Sequence, residues 1–241
     1  MNPAPFLVSF SNADAYVSAL SDFDRLLYEH EIRRLIEHKL PPIVSTSALA
    51  VMFGYSSQFV KAMTSKPNRY YRTFAIPAGK KKRIIHAPKV AIKAIQKWFG
   101  YHLDLKFENY PIVHGFVRGK SAASAALVHC GAKWIYSVDL RNFFSSTITD
   151  VVLEALLSLG YSENGAQIVT NLCCLDGGLA QGSPASPILS NIVFREADRS
   201  LIEIAFRYGI RYTRYADDLV FSGLENFRHP EFNSEVQHLA A

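Results

Sequence analysis

Ile210-Arg211-Tyr212-Thr213-Arg214-Tyr215-Ala216-Asp217-Asp218-Leu219-Val220-Phe221-Ser222 reads as two short strands, 210–214 and 219–222, around an acidic turn at 216–218. Aromatic and β-branched residues fill both runs, as a half-buried pleated surface requires. One Asp at a strand end is ordinarily a turn former or a cap. An adjacent pair framed by Tyr215 and the apolar Leu219-Val220-Phe221 is harder to explain that way, because a carboxylate is costly to desolvate without compensation. A third acid, Asp139, comes near the end of the apolar run 134–140. Three carboxylates brought to one place repel and raise one another's pKa values. A divalent cation reverses that balance, since hard cations take oxygen ligands.

Upstream of the acidic turn, 185–206 reads as one helix after a loop that starts at Gly177-Gly178 and reaches Gln181-Gly182-Ser183-Pro184. Helices are predicted at 149–159 and 162–174, and a small-residue helix at 121–128. Residues 90–105 form a helix with Ile92, Ile95, Trp98 and Phe99 inward. Two strands, 70–76 and 82–86, flank a turn at 77–80, and Lys80-Lys81-Lys82-Arg83 makes its tip and second strand cationic, with Arg69 and Arg72 just before. A solvated turn and a phosphate contact account for that run about equally well. At 22–39 the stripe Leu26, Leu27, Ile32, Leu35, Ile36 predicts an amphipathic helix stopped by Pro41-Pro42. Residues 44–63 read as two short helices about Gly54. They could pass for a DNA-binding helix-turn-helix, but no base-reading helix follows, and a packing pair is the better account. His86 and His102 read as structural, and Trp98, Phe99, Phe206 and Tyr208 as core. The order, helical first and then mixed, is that of an α+β protein.

The composition sets bounds. Of 241 residues 49% are apolar, and the net charge of +5 favours a polyanionic partner only weakly. Cys130, Cys173 and Cys174 are odd in number and lack metal-ligand spacing, which excludes a disulfide framework or a zinc site. No cationic leader precedes the first apolar residues, and no apolar run reaches the ~18 residues of a membrane span. A cytoplasmic protein without a membrane partner is expected.

Four stretches carry a family resemblance. Tyr215-Ala216-Asp217-Asp218 resembles the Tyr-x-Asp-Asp hairpin of reverse transcriptases. Val138-Asp139-Leu140-Arg141-Asn142-Phe143-Phe144 is similar to that family's first palm motif, and Gln181-Gly182-Ser183-Pro184-Ala185-Ser186-Pro187 to its second. Arg83-Ile84-Ile85-His86-Ala87-Pro88 resembles the fingers motif. They occur in the family's order, across 70–223. Within the family the chain looks most like bacterial retron reverse transcriptases, through Tyr212-Thr213-Arg214 before the hairpin and His114-Gly115-Phe116 followed by Gly119-Lys120-Ser121. The retron signature Asn-Ala-x-x-His is matched at Ala126 and His129, while Ala125 stands where the Asn would be.

The resemblance implies a right-hand polymerase: a helical N-terminal region (1–68), fingers (69–114), a palm (115–223) made of an antiparallel sheet packed on helices, and a tail (224–241). Family members continue through a primer grip and a helical thumb, and 224–241 carries no such motif. The resemblance therefore implies a fragment, a frameshift truncation or a thumb supplied by a second polypeptide, and weak or non-processive synthesis by this chain alone. It makes Asp139, Asp217 and Asp218 catalytic. Two Mg2+ ions are implied, bound by Asp139 and Asp217 with Asp218 assisting, and Leu140 counts among the metal-site residues. Phe144 becomes a steric gate that excludes a ribose 2′-OH, and Phe143 its core-packed neighbour. Arg83 meets the incoming triphosphate, joined by one of Lys80, Lys81 and Lys82, while Gln181 and Gly182 border the nucleotide. Lys82, Arg118, Lys120 and Tyr215 are candidate template or primer contacts. The implied partners are an RNA template, a DNA product, dNTPs and an effector protein in antiphage defence. The implied function is RNA-directed DNA synthesis of retron type. The alternatives are a group II intron-like or other defence-associated relative, or a thumbless nucleic-acid-binding remnant without turnover.

Overall fold

Hydroxyl and amide side chains mark where many of the helices begin. In the computed structural model, which describes residues 3–78, 81–225 and 229–240, Asn12 caps α1 (Ala13–Ser18) and Ser21 caps α2 (Asp22–Glu37). Ser45 caps α3 (Thr46–Phe53) and Ser56 caps α4 (Ser57–Ser65), each side chain accepting from a backbone N–H in the first turn. Such a cap contributes about 1 kcal/mol. Gly54 ends α3 in the left-handed region at φ +66, where a side chain would be strained. A 3₁₀ turn at Pro67–Tyr70 leads into β1 (Tyr71–Ala78), which pairs antiparallel with β2 (Lys81–Pro88). Then come α5 (Val90–Lys106), α6 (Ala122–Val128), β3 (Trp134–Asp139), α7 (Phe143–Ser146), α8 (Thr149–Ser158) and α9 (Glu163–Cys173). The chain continues through β4 (Cys174–Leu175), β5 (Gly178–Leu179), α10 (Ser186–Val193), α11 (Arg195–Arg207), β6 (Arg211–Tyr215), β7 (Asp218–Gly223) and α12 (Pro230–Ala240).

The mixed helices and antiparallel sheets form an α+β fold in two compact units, each assembled from two stretches of chain. The first comprises Met1–Phe107 and Thr147–Leu189, the second Glu108–Ser146 and Ser190–Ala241. In the first unit Ile92, Ile95, Trp98 and Phe99 of α5 are buried as their spacing predicts. The amide of Gln96 donates to the Tyr71 hydroxyl and to the Leu172 carbonyl, both at 2.6 Å, tying the start of β1 to α9. His102 is buried and bonded to the Ala4 carbonyl, a structural role. Cys173 and Cys174 are buried free thiols, and burial raises both, Cys174 to about 12.

Several expectations need correction. In α2, Ile32 and Leu35 are buried, but Leu26 is 85% and Leu27 53% exposed. The face is set by Asp24, whose carboxylate accepts from the hydroxyls of Ser21 and Ser47 at 2.9 and 2.6 Å. Leu26 lies ~200° around the helix from that anchor and points outward. Phe206 is 87% exposed instead of core, because Leu201, Ile204 and Ala205 occupy the inner face of α11. The single helix expected at 185–206 is two, separated at Phe194. The loop expected from Gly177 contains a two-residue hairpin: Asp176 and Gly177, at φ +53 and +89, join β4 to β5. Asp-Gly is the pair a turn with two positive φ values prefers. Of the predicted turn at 77–80, Gly79 and Lys80 lie outside the described residues, and Lys81 and Lys82 are described only as strand backbone.

In the second unit the sheet order is β3-β7-β6. One face carries Tyr136, Tyr212 and Phe221 into a core with α11 and α12, and the Tyr212 and Phe221 rings stack at 4.7 Å. The segment that shows no motif in sequence supplies α12, whose Phe232 and Val236 are 1% and 0% exposed. Tyr208, half-buried, packs on Phe232 and donates its hydroxyl to Glu235. No helix among the described residues is long and apolar enough to cross a membrane. Replacing Phe232 with Ala should cost about 3–5 kcal/mol in urea unfolding. A loss below about 1 kcal/mol would mean that α12 contributes little to this core.

Candidate active site

The strand register brings the acids together. In the β3–β7 ladder Asp139 is directly opposite Asp218, and Val138 opposite Leu219. In the β6–β7 hairpin Tyr215 is opposite Asp218, so the connecting turn consists of Ala216 and Asp217. Alternation along the strands sends Val138, Leu219, Tyr212 and Arg214 to the core face and leaves Asp139 and Asp218 on the other, in contact with solvent. The Leu140 N–H donates to the Asp217 carbonyl at 3.0 Å, which ties the end of β3 to the turn. Partial desolvation at the strand end, and then the charges of Asp217 and Asp139, raise the Asp218 carboxyl above its ordinary range. These are the electrostatics of acids whose mutual repulsion a cation would relieve.

The donor set suits a hard divalent cation, being all oxygen. Among the described residues, however, no three His, Cys, Asp or Glu side chains are gathered into a ready metal cluster. Asp139 and Asp218 face each other, and Asp217 stands beside them in the turn.

The turn is strained and held from outside. Ala216 has φ +55, a conformation that costs a residue with a Cβ about 1–2 kcal/mol. The Arg214 guanidinium donates to the Ala216 carbonyl at 3.2 Å. Gly115 lies against the turn so closely that a Cβ there would sit 2.1 Å from the Ala216 nitrogen. Residues 112–115 also cover the free edge of β6: Arg214 N–H donates to Ile112 and the His114 N–H to Arg214, at 3.0 and 2.8 Å. On the opposite side His129 bridges the hairpin, with Nδ1 2.7 Å from Ser222 Oγ and Nε2 2.7 Å from Thr213 Oγ1. Burial, then Arg211 and His114, lower the His129 pKa, so the bridge is a neutral imidazole.

The other predicted site residues divide between the units. In the second, Phe143 packs on Phe194, and Phe144 is half-buried with its ring 5.8 Å from that of Phe116. Phe116 is 41% exposed and holds φ +60, unusual for a bulky residue. Tyr215 is 37% exposed, and Arg118 is exposed. The Lys120 ammonium donates to the carbonyls of Pro111 and Val113, and burial lowers its pKa. In the first unit, Arg83 is exposed on β2 opposite Ile76. The Gln181 carbonyl accepts from the His86 N–H at 2.8 Å, fastening the Gln181–Gly182 loop to β2. Gly182 has φ +126, and a Cβ there would meet the His86 carbonyl oxygen at 2.7 Å, so only glycine fits.

Arg214, Asp198, Asn191 and Gly115 have no site role assigned from sequence, although they surround the turn. The signals are faint. Asp198 shares the i, i+3, i+7 face of Leu201 and Ala205, and Arg214 falls at a core-facing strand position. Gly115→Ala should disrupt the acidic turn and lower the melting temperature. Gly119→Ala, at φ +74 with no atom within 4 Å, tests only backbone strain by comparison. Equal melting temperatures for the two would argue against close packing on Ala216.

The family model described as reverse transcriptase (RNA-dependent DNA polymerase) matches residues 64–241. The retron Mx65 reverse transcriptase of Myxococcus xanthus is 36% identical over 196 residues, covering 73% of this chain and 46% of that protein. The retron Ec86 reverse transcriptase of Escherichia coli is 36% identical over 143 residues, 59% of this chain and 45% of that one. The retron Mx162 reverse transcriptase of Myxococcus xanthus is 31% identical, over 80% of this chain and 44% of its own. The chain thus spans about half the length of the curated relatives it matches. A solved structure of telomerase from Candida albicans, with a fragment of telomeric RNA, covers 80% of this chain and 44% of its own at 12% identity and a TM-score of 0.47. With its family match spanning most of its length and its motifs in the family's order, the chain belongs to the reverse transcriptase family.

Proposed function

We propose that this chain carries the polymerase centre of an RNA-directed DNA polymerase of retron type. The observation that carries the reading is the register of Asp139 opposite Asp218, with Asp217 in the adjoining turn. In this reading Asp139 and Asp217 hold two Mg2+ ions, with Asp218 and the Leu140 position beside them. Bound there, the ions lower the pKa of a primer hydroxyl and neutralise charge on the triphosphate and leaving pyrophosphate. The protein's own part is positioning, which is most of what phosphoryl transfer asks of it. Phe144, on α7 just past Asp139, excludes a ribose 2′-OH. Arg83 supplies a guanidinium whose planar fork suits phosphate oxygens. Gln181 and Gly182 border the nucleotide. Of the candidate nucleic-acid contacts, Arg118 and Tyr215 present surface, whereas Lys120 already donates to two carbonyls.

The likeness to retron enzymes supports a noncoding RNA as template, priming from an RNA 2′-OH, a DNA product, and a cytoplasmic role in antiphage defence with an effector.

Primer extension on template RNA with dNTPs and Mg2+ tests the reading. Asp217→Ala should lower the rate about 100-fold or more, the equivalent of about 3 kcal/mol in the barrier. Extension undiminished in the variant, or none from the wild type even with a thumb-bearing partner, would refute it. Phe144→Ala should raise rNTP incorporation relative to dNTP. An unchanged ratio would remove Phe144 as the gate.

A further inference from the structure

Arg214 is fully buried, at 0% exposure, one residue before the Tyr-x-Asp-Asp hairpin. A buried guanidinium requires a counter-charge, and Asp198, itself 1% exposed, provides it. The pair uses only part of the guanidinium: Nε donates to Asp198 at 2.9 and 3.1 Å, and Nη2 at 2.7 Å. Nη1 points elsewhere, to the Asn191 side-chain oxygen at 3.1 Å and to the Ala216 carbonyl at 3.2 Å. Asn191 in turn donates to the Gly115 carbonyl at 3.2 Å. Gly115 is the residue pressed against the Ala216 nitrogen. The bonds therefore enclose the turn, from Asp198 through Arg214 to Ala216, and from Arg214 through Asn191 to Gly115. The Tyr212 hydroxyl adds a further bond to Asp198 at 3.0 Å, and the Phe194 ring lies 4.9 Å from the Arg214 guanidinium carbon.

Burial obliges the third nitrogen to find acceptors of its own, and one of the two it finds is the carbonyl of the turn. Ala216 at φ +55 is disfavoured locally, and such a conformation persists where the surroundings over-determine it. The next two residues are acids whose charges oppose their own approach. We propose that Arg214, with Asp198 and Asn191, is a positioning residue for Asp217 and Asp218: it fixes the Ala216 turn so that these carboxylates are presented to divalent cations. This rests on the reading of the acids as cation ligands.

The test is Mn2+ binding to the whole chain, followed by electron paramagnetic resonance, alongside thermal unfolding without metal. Arg214→Lys keeps a charge for Asp198 but lacks the fork that also reaches Asn191 and Ala216. Asn191→Ala leaves the ion pair and removes the link to Gly115. Each should weaken Mn2+ binding roughly tenfold, the scale at which groups supporting metal ligands act. Val236→Ala, a buried α12 change away from the turn, should lower the melting temperature with Mn2+ affinity unaltered. Affinities of Arg214→Lys and Asn191→Ala within about twofold of wild type would overturn the proposal. So would a loss in Val236→Ala equal to theirs at equal melting temperature. If Arg214→Lys does not fold, Asn191→Ala decides. If the wild type itself binds no Mn2+, the reading of the acids fails, and this inference with it.

Discussion

Two carboxylates directly opposite each other on neighbouring strands are an electrostatic liability. Asp139 and Asp218 occupy such a pair, with Asp217 in the turn alongside. A sheet surface selected for stability alone would place opposite charges, or a hydroxyl and a β-branched residue, at those positions. Other features of the second unit compensate for that pairing. Its apolar face is closed by Leu201, Ile204, Phe232 and Val236, so the acids are carried on strands with a well-packed reverse side. Its edge is covered by 112–115, and its other side is bridged by a neutral His129 between Thr213 and Ser222. Both restraints bear on the β6–β7 hairpin, the part of the sheet that carries Asp217 and Asp218.

The same tension appears in the backbone. A glycine or asparagine at 216 would accept a positive φ at little cost, yet the chain has alanine there. The strain is balanced by neighbours: the Arg214 guanidinium on one side, the Gly115 backbone on the other, and the Leu140 N–H across to Asp217. Local disfavour offset by buried hydrogen bonds is what keeps a short acidic turn in one conformation when its own sequence would allow several.

The acidic turn, the strand ending in Asp139 and most helices were legible in the sequence because each is a local pattern. Alternation around 210–222, serines before apolar runs, and glycine at the end of α3 declare themselves within a few residues. The outward position of Leu26 was not, because the face α2 buries is decided by Asp24 bonding to Ser45 and Ser47, some 21 and 23 residues further on; Leu27, three residues from Asp24 and on its side of the helix, is exposed without that explanation. Phe206 fails for a similar reason, since α11 had enough apolar residues to fill its inner face without it. The support behind the turn was hidden most deeply. Asn191, Asp198 and Arg214 are separated in sequence by ordinary helical stretches, and only tertiary structure shows that they share one set of hydrogen bonds. The roles proposed for Asp139, Asp217, Phe144 and Gln181 rest on the family resemblance. The geometry adds a reason for Gly182, whose missing side chain lets the loop lie against the His86 carbonyl.

The central claim, that Asp139, Asp217 and Asp218 exist together in order to hold divalent cations, is most directly tested by anomalous scattering from a crystal of this protein soaked in Mn2+. The account predicts anomalous peaks bonded to the carboxylates of Asp139 and Asp217, lost in the Asp217→Ala variant. Peaks confined to other sites, or none at these carboxylates while Mn2+ is bound elsewhere in the same crystal, would contradict it.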